Sequence, residues 1–263
     1  MATFITYMPS WVPFILTLSI GLTTAEAGVW VVKRREKKGV KDKEASVGSL
    51  VGALLALLAF MLGFTFSITA SRYSERKHLV VDQAKYIGTC YLRTSLIPEK
   101  QKQETRRLLN QYIDLLVDAA NAPVMEKNND RLAALQLEIW KQTASLKDET
   151  MDSPLRALYT SSVNQVIDIF GERKAVVLTF RIPSAIWAAL FLLYIFCLFV
   201  VGLEISSYKT RRSLNVPIMT AAFSLIVVLI AAMDASRKKG HFTVTQQPLV
   251  EIQQMMRENQ SLP

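Results

Sequence analysis

Four long stretches of this 263-residue chain are uncharged or nearly so, and they organise everything else. Residues 1–25 carry no charge, and the apolar character continues past Glu26 to Val32. The other three stretches are 45–71, 182–203 and 213–233. Each reaches the ~20 residues that a helix needs to cross the hydrocarbon of a bilayer. The pattern predicts an all-α, polytopic membrane protein with four transmembrane helices and the lipid bilayer as its first partner. The first stretch is not expected to be a cleavable signal peptide. No basic segment precedes Trp11, and the charges follow the apolar run. Trp11, Trp30 and Trp187 sit toward the ends of the runs, where interfacial aromatics anchor spans.

The second and third spans are separated by a polar insert with helical signals. No proline occurs between Pro13 and Pro98, so the second helix is expected to run unbroken from Gly48 to Ile97. That is about 50 residues, or ~75 Å at the α-helical rise. From Glu99 to Asn121, apolar Leu108, Leu109, Tyr112, Leu115 and Leu116 recur at helical spacing until Asn121-Ala-Pro breaks the pattern. A second insert helix is expected from Asn129 to about Lys147, with Leu132, Leu135 and Ile139 on one side. Ser153-Pro154 pairs a capping residue with proline at the first helical position. It should open a helix running to Phe180, toward the third span at Pro183. With no strand alternation, the insert should be a helical extramembrane domain. The expected division is 1–70 with the basic loop 33–46, then 71–181, 182–235 and an amphipathic tail at 236–263.

Charge adds topology rather than chemistry. The net charge of +9 lies largely in short flanks, with seven Lys or Arg residues in KRREKKGVKDK at 33–43. In a membrane protein this reports orientation and lipid contact, and no nucleic-acid partner is expected. Positive-inside logic puts that loop in the cytoplasm and the insert outside. Yet Arg72, Arg76, Lys77, Arg173, Lys174, Arg181, Arg237, Lys238 and Lys239 load the other side. Cys90 and Cys197 fall in the insert-side helix and the third span, with no redox or metal spacing between them. There is no phosphate-binding glycine loop, no nucleophile with a partnered histidine and no zinc signature. Neither an enzyme nor a cofactor is expected.

The second span carries more order than an anchor needs. Gly48, Gly52 and Ala56 recur four apart on one face, and Gly63 adds a further small position for close helix packing. Phe60 and Phe64 continue the face of Ala56, and copies arranged around an axis would make them a dewetting constriction. The simpler alternative is that both face lipid or fill a seam. Arg72, Tyr73 and Arg76 stand where the helix leaves the lipid, as anion attractors at a pore mouth or merely as a charged collar with Glu75. Glu26 is the one acid within a span, a candidate proton or ion site. It lies only ~9 Å from the end of that span, so snorkelling or pairing with Lys33 or Arg34 is the alternative. His78 beside Glu75 and Asp82, and the carboxylates Asp148, Glu149 and Asp152, suggest weak metal sites but are explained as well by solvated surface. His241 has no such company.

Phe60-Met-Leu62-Gly63-Phe64, followed eight residues on by Arg72-Tyr73, resembles the second transmembrane helix of bestrophins. Nearly the whole chain is also similar to the bestrophin-like family of uncharacterised bacterial membrane proteins. The matching pieces are Glu26-Ala-Gly28, the basic loop, Gly52 to Arg72, Val80-Val-Asp82-Gln-Ala84, Ile87 to Arg93 and the tail from Gly240 to Leu249. Asp82-Gln83 stands where glutamates are expected, and Ser236-Arg237 replaces an arginine–proline step. The resemblance implies pentameric anion channels with four spans per subunit and a cytoplasmic insert, opposite to the charge-based topology. It also implies an apolar neck on the second helix, here at Ala56, Phe60 and Phe64, with Ala56 smaller than the usual aliphatic residue. The expected function is therefore an oligomeric, anion-permeable channel in the bacterial inner membrane. A membrane-anchored scaffold or sensor without a pore, and a proton-coupled transporter using Glu26, are the alternatives.

Overall fold

The computed structural model describes residues 11–38, 48–121, 126–178, 182–207, 214–234 and 243–260. Among them there are eight α-helices and no strand. Helix α1 is Trp11–Lys37, α2 Gly48–Arg93, α3 Glu99–Asn121, α4 Glu126–Ser145, α5 Ser153–Leu178, α6 Ser184–Ser207, α7 Asn215–Asp234 and α8 Gln247–Gln260. Helices α1, α6 and α7, together with the apolar part of α2, are long and apolar enough to cross a membrane. The sequence expectation of an all-helical protein with four candidate spans therefore holds among the described residues. The basic loop beyond Lys38, the loop 208–213, Arg181 and the segment 235–242 with His241 lie outside the described residues.

The local signals act where they stand. The 46-residue α2 ends in a 3₁₀ turn at Thr94–Leu96, just ahead of Pro98. Ser153-Pro154 opens α5, and the expected break at Ala122-Pro123 lies outside the described residues. The chain divides into two compact units, Met1–Tyr73 with Arg181–Arg237 and Ser74–Phe180 with Lys238–Pro263. Helix α2 contributes to both.

In the membrane unit, α1 buries Pro13, Thr17, Gly21, Ala25 and Gly28, a stripe of small residues at helical period. A Cβ on Gly28 would overlap the Phe199 carbonyl oxygen of α6, and one on Gly202 would overlap that of Ala25. The two backbones are thus in direct contact, which only glycine allows. Gly21 lies under the Tyr194 hydroxyl, which donates to the Thr17 carbonyl oxygen at 3.1 Å and stands 3.2 Å from Ser224 Oγ on α7. Such bonds between membrane helices contribute about 0.6 kcal/mol each on average. Helix α2 joins by side chains, Leu58 and Leu62 packing with Leu190, Tyr194, Leu198, Val227 and Ile230. At the end of α7, Asp234 accepts the Ile182 backbone N–H at 3.2 Å, satisfying a donor just ahead of α6.

In the extramembrane unit, the amphipathic helices converge on one core. Ile87, Cys90 and Tyr91 of α2 meet Leu109, Tyr112 and Ile113 of α3, Ile139 of α4, Tyr159 and Val163 of α5, and Leu249 and Met256 of α8. Burying each such side chain stabilises by roughly 1.5–3 kcal/mol. The tail helix α8 is held by polar contacts too. Tyr91 Oη donates to the Met256 carbonyl oxygen at 3.1 Å, and Asp114 accepts from Gln253 at 2.6 Å and Arg257 at 2.9 Å. Both cysteines are buried and free.

The α1–α6 seam sets a sharp expectation for stability. Gly202→Val places carbon where the Ala25 carbonyl stands, and should cost about 3 kcal/mol and lower the melting temperature in detergent by several degrees. Gly171→Ala is the control, because nothing lies within 4 Å of the added carbon. It should raise stability slightly, as a glycine removed from a helix interior does. A Gly202→Val protein as stable as wild type would contradict the seam.

Candidate functional site

Along its apolar half, α2 has two faces of different fate. Val51, Leu58, Leu62, Thr65 and Thr69 are buried within the chain, as is Arg76 further along. The threonine hydroxyls are satisfied by their own helix, Thr65 donating to the Met61 carbonyl oxygen at 2.7 Å and Thr69 to that of Thr65. The outward face is Gly52, Ala56, Phe60, Gly63, Phe64, Ser67 and Ser71, all exposed. Phe60 is 67% exposed and Phe64 55%, high values for large aromatics in a span. Their rings are stacked, with centroids 6.5 Å apart and planes 11° from parallel.

At 100° per residue, Ala56, Phe60, Phe64, Ser67 and Ser71 fall within an arc of about 80°. Exposed Glu75 and His78 continue the same side of the helix. The stripe therefore begins apolar and turns to hydroxyls. Ser67 and Ser71 were not singled out in the sequence, although their spacing from Phe60 and Phe64 carries the signal. Gly52 and Gly63 have nothing within 4 Å of a notional Cβ, and Gly48 is half-exposed. Within one chain the close helix approach belongs instead to Gly21, Gly28 and Gly202.

The residues expected at the mouth part company. Arg76 is buried within its own chain, on the side of α2 that also buries Thr65 and Thr69. Arg72 and Tyr73 are half-buried. The Nη1 of Arg72 is shielded from solvent and has no hydrogen-bond partner among the described residues. Glu26 lies exposed on α1, beside the buried seam residue Ala25. Near the membrane boundary, Arg34 sits 4.9 Å over the Trp30 ring, a cation–aromatic contact suited to an interface. Among the described residues no group of His, Cys, Asp and Glu is arranged to hold a metal, and Glu149 instead accepts a 2.8 Å hydrogen bond from Gln101.

These features define a four-span helical membrane protein with a helical extramembrane unit. Within that class the chain belongs to the bestrophin-like family, whose domain model matches residues 22–248. The fold is shared with a bestrophin homologue from Klebsiella pneumoniae. In its zinc-phased crystal structure the identity is 14%, the TM-score 0.68, and 95% of this chain and 99% of that one are covered. A leucine-to-threonine variant of that homologue gives 12% identity and a TM-score of 0.69 over the same shares of the two chains. A crystal structure described only as a membrane protein variant gives 13% identity and a TM-score of 0.69, covering 95% and 99%. No curated protein matches the chain significantly.

Proposed function

We propose that the chain is one subunit of an oligomeric, anion-permeable channel of the bacterial inner membrane, with its pore lined by α2 at Ala56, Phe60 and Phe64. The observation that carries this is the outward face of α2. Two large aromatics and two serines share one exposed side of a span whose other side is already packed. A face meant only for lipid has no use for Ser67 and Ser71 along the line of the phenylalanines. A face meant for an axis does: the rings form an apolar neck, and the hydroxyls line the water beyond it.

Gly48, Gly52 and Gly63 flank one edge of that stripe, where the helix of a neighbouring copy can approach closely. Five copies are the number that the family resemblance implies. Of Arg72, Tyr73 and Arg76, Arg72 is the candidate to attract small anions, because it is half-buried where Arg76 is buried and its Nη1 has no hydrogen-bond partner among the described residues. The extramembrane unit is assigned to the cytoplasm, against the charge bias of the first loop. A fluorescent protein fused at the C-terminus should therefore fluoresce, and a dark fusion of normal abundance would reverse the assignment.

The rival, a scaffold or sensor without a pore, has one observation on its side. An open groove of about 440 Å³ between α3 and α4 is lined by Gln111, Asp114, Asp118, Arg131 and Glu138. Planar bilayers separate the two. Wild-type oligomer should conduct small anions, and Phe60→Ala with Phe64→Ala should raise conductance or open probability several-fold. Absence of current from an intact oligomer, for wild type and variant alike, would sink the channel.

A further inference from the structure

Five segments of the extramembrane unit bring polar side chains together inside its packing: Gln83 on α2, Tyr112 on α3, Gln136 on α4, Arg173 on α5 and Gln246 just ahead of α8. Gln83 and Tyr112 are fully buried and Gln136 nearly so. Arg173 donates through Nη1 to Gln83 Oε1 and through Nη2 to Gln246 Oε1. Gln136 Nε2 donates to Tyr112 Oη at 3.0 Å, and Gln246 Nε2 to the Val244 carbonyl oxygen at 3.0 Å. Phe170 closes one side, edge-on to the Tyr112 ring at 6.5 Å.

The cluster does not balance. A guanidinium has five N–H donors and no acceptor, and every amide present adds two more donors. The two side-chain oxygens facing Arg173 are both taken, and Gln83 Nε2, buried beside the Tyr112 hydroxyl, makes no well-formed hydrogen bond among the described residues. Among the described residues no carboxylate hydrogen-bonds or ion-pairs with Arg173. Burial draws the Arg173 pKa down to about 10, so the group stays cationic at neutral pH. The half-buried Arg173 guanidinium is thus compensated only by neutral amides, and a fully buried orphan donor stands beside it.

We propose that this cluster is a binding site for a small monovalent anion of the halide class, held between the Arg173 guanidinium and the Gln83 amide. Such an ion supplies what the cluster lacks, one negative charge and several acceptor directions, and brings no donors of its own. Water would satisfy the orphan donor but brings no charge of its own. The site lies within the extramembrane unit, apart from the face of α2 assigned to the pore, and does not rest on conduction. An occupied site joins α2, α5 and the segment before α8 through one ion.

Purified full-length protein in detergent, melted at constant ionic strength with chloride replacing gluconate, tests it. Between about 1 and about 100 mM chloride, the wild-type melting temperature should rise by about 4 °C. Gln83→Glu builds a carboxylate against Arg173 and should abolish that rise, while melting in gluconate at or above wild type. Arg173→Met should also be indifferent to chloride. In bromide-soaked crystals an anomalous peak should stand within about 3.5 Å of Arg173 and Gln83 Nε2. A wild type indifferent to chloride, a Gln83→Glu protein with an unchanged chloride response, or a water without anomalous signal would each overturn the site. None of these results bears on whether α2 lines a pore.

Discussion

The membrane unit depends on the direct backbone contact between α1 and α6 at Ala25, Gly28 and Gly202. In lipid no hydrophobic drive pulls helices together, so close packing and interhelical hydrogen bonds must do it. The glycines permit the approach, and the approach brings the Tyr194 hydroxyl within reach of the Thr17 carbonyl and Ser224. Three spans thereby satisfy one another. The fourth, α2, attaches through the side chains of Leu58 and Leu62 and keeps its opposite face for something outside the chain.

That division explains the composition of α2. Its inner side holds leucines and self-bonded threonines, suited to a dry seam. Its outer side changes from Ala56, Phe60 and Phe64 to Ser67 and Ser71 within a few turns. Further along its sequence the same helix belongs to a different kind of packing, a helical bundle with an ordinary hydrophobic core. There Tyr91 ties it to the tail directly, and Gln83 does so through Arg173. One continuous helix therefore carries both the candidate pore face and the anchor of the extramembrane unit.

Much of this was legible in the sequence because the signals were local. Charge-free runs marked the spans, Ser153-Pro154 marked a helix start, and the three- and four-residue spacing of Leu108, Leu109 and Tyr112 marked a core face. That Phe60 and Phe64 share one face was visible for the same reason. What was hidden depends on pairs far apart in the chain. Gly28 meets Gly202 across more than 170 residues, and α6 is apolar all round, so no periodicity says which side packs. Arg76 looked equivalent to Arg72 because both flank the span, yet burial separates them. The Arg173 cluster draws on five separate segments, none of which announces a polar core by itself.

The central claim is that the outward face of α2 surrounds an axis rather than meeting lipid. Cryo-electron microscopy of the full-length protein in lipid nanodiscs tests it most directly. The account predicts a closed ring of copies with Phe60 and Phe64 pointing at a central pore. A monomer or dimer with both rings against lipid would contradict it.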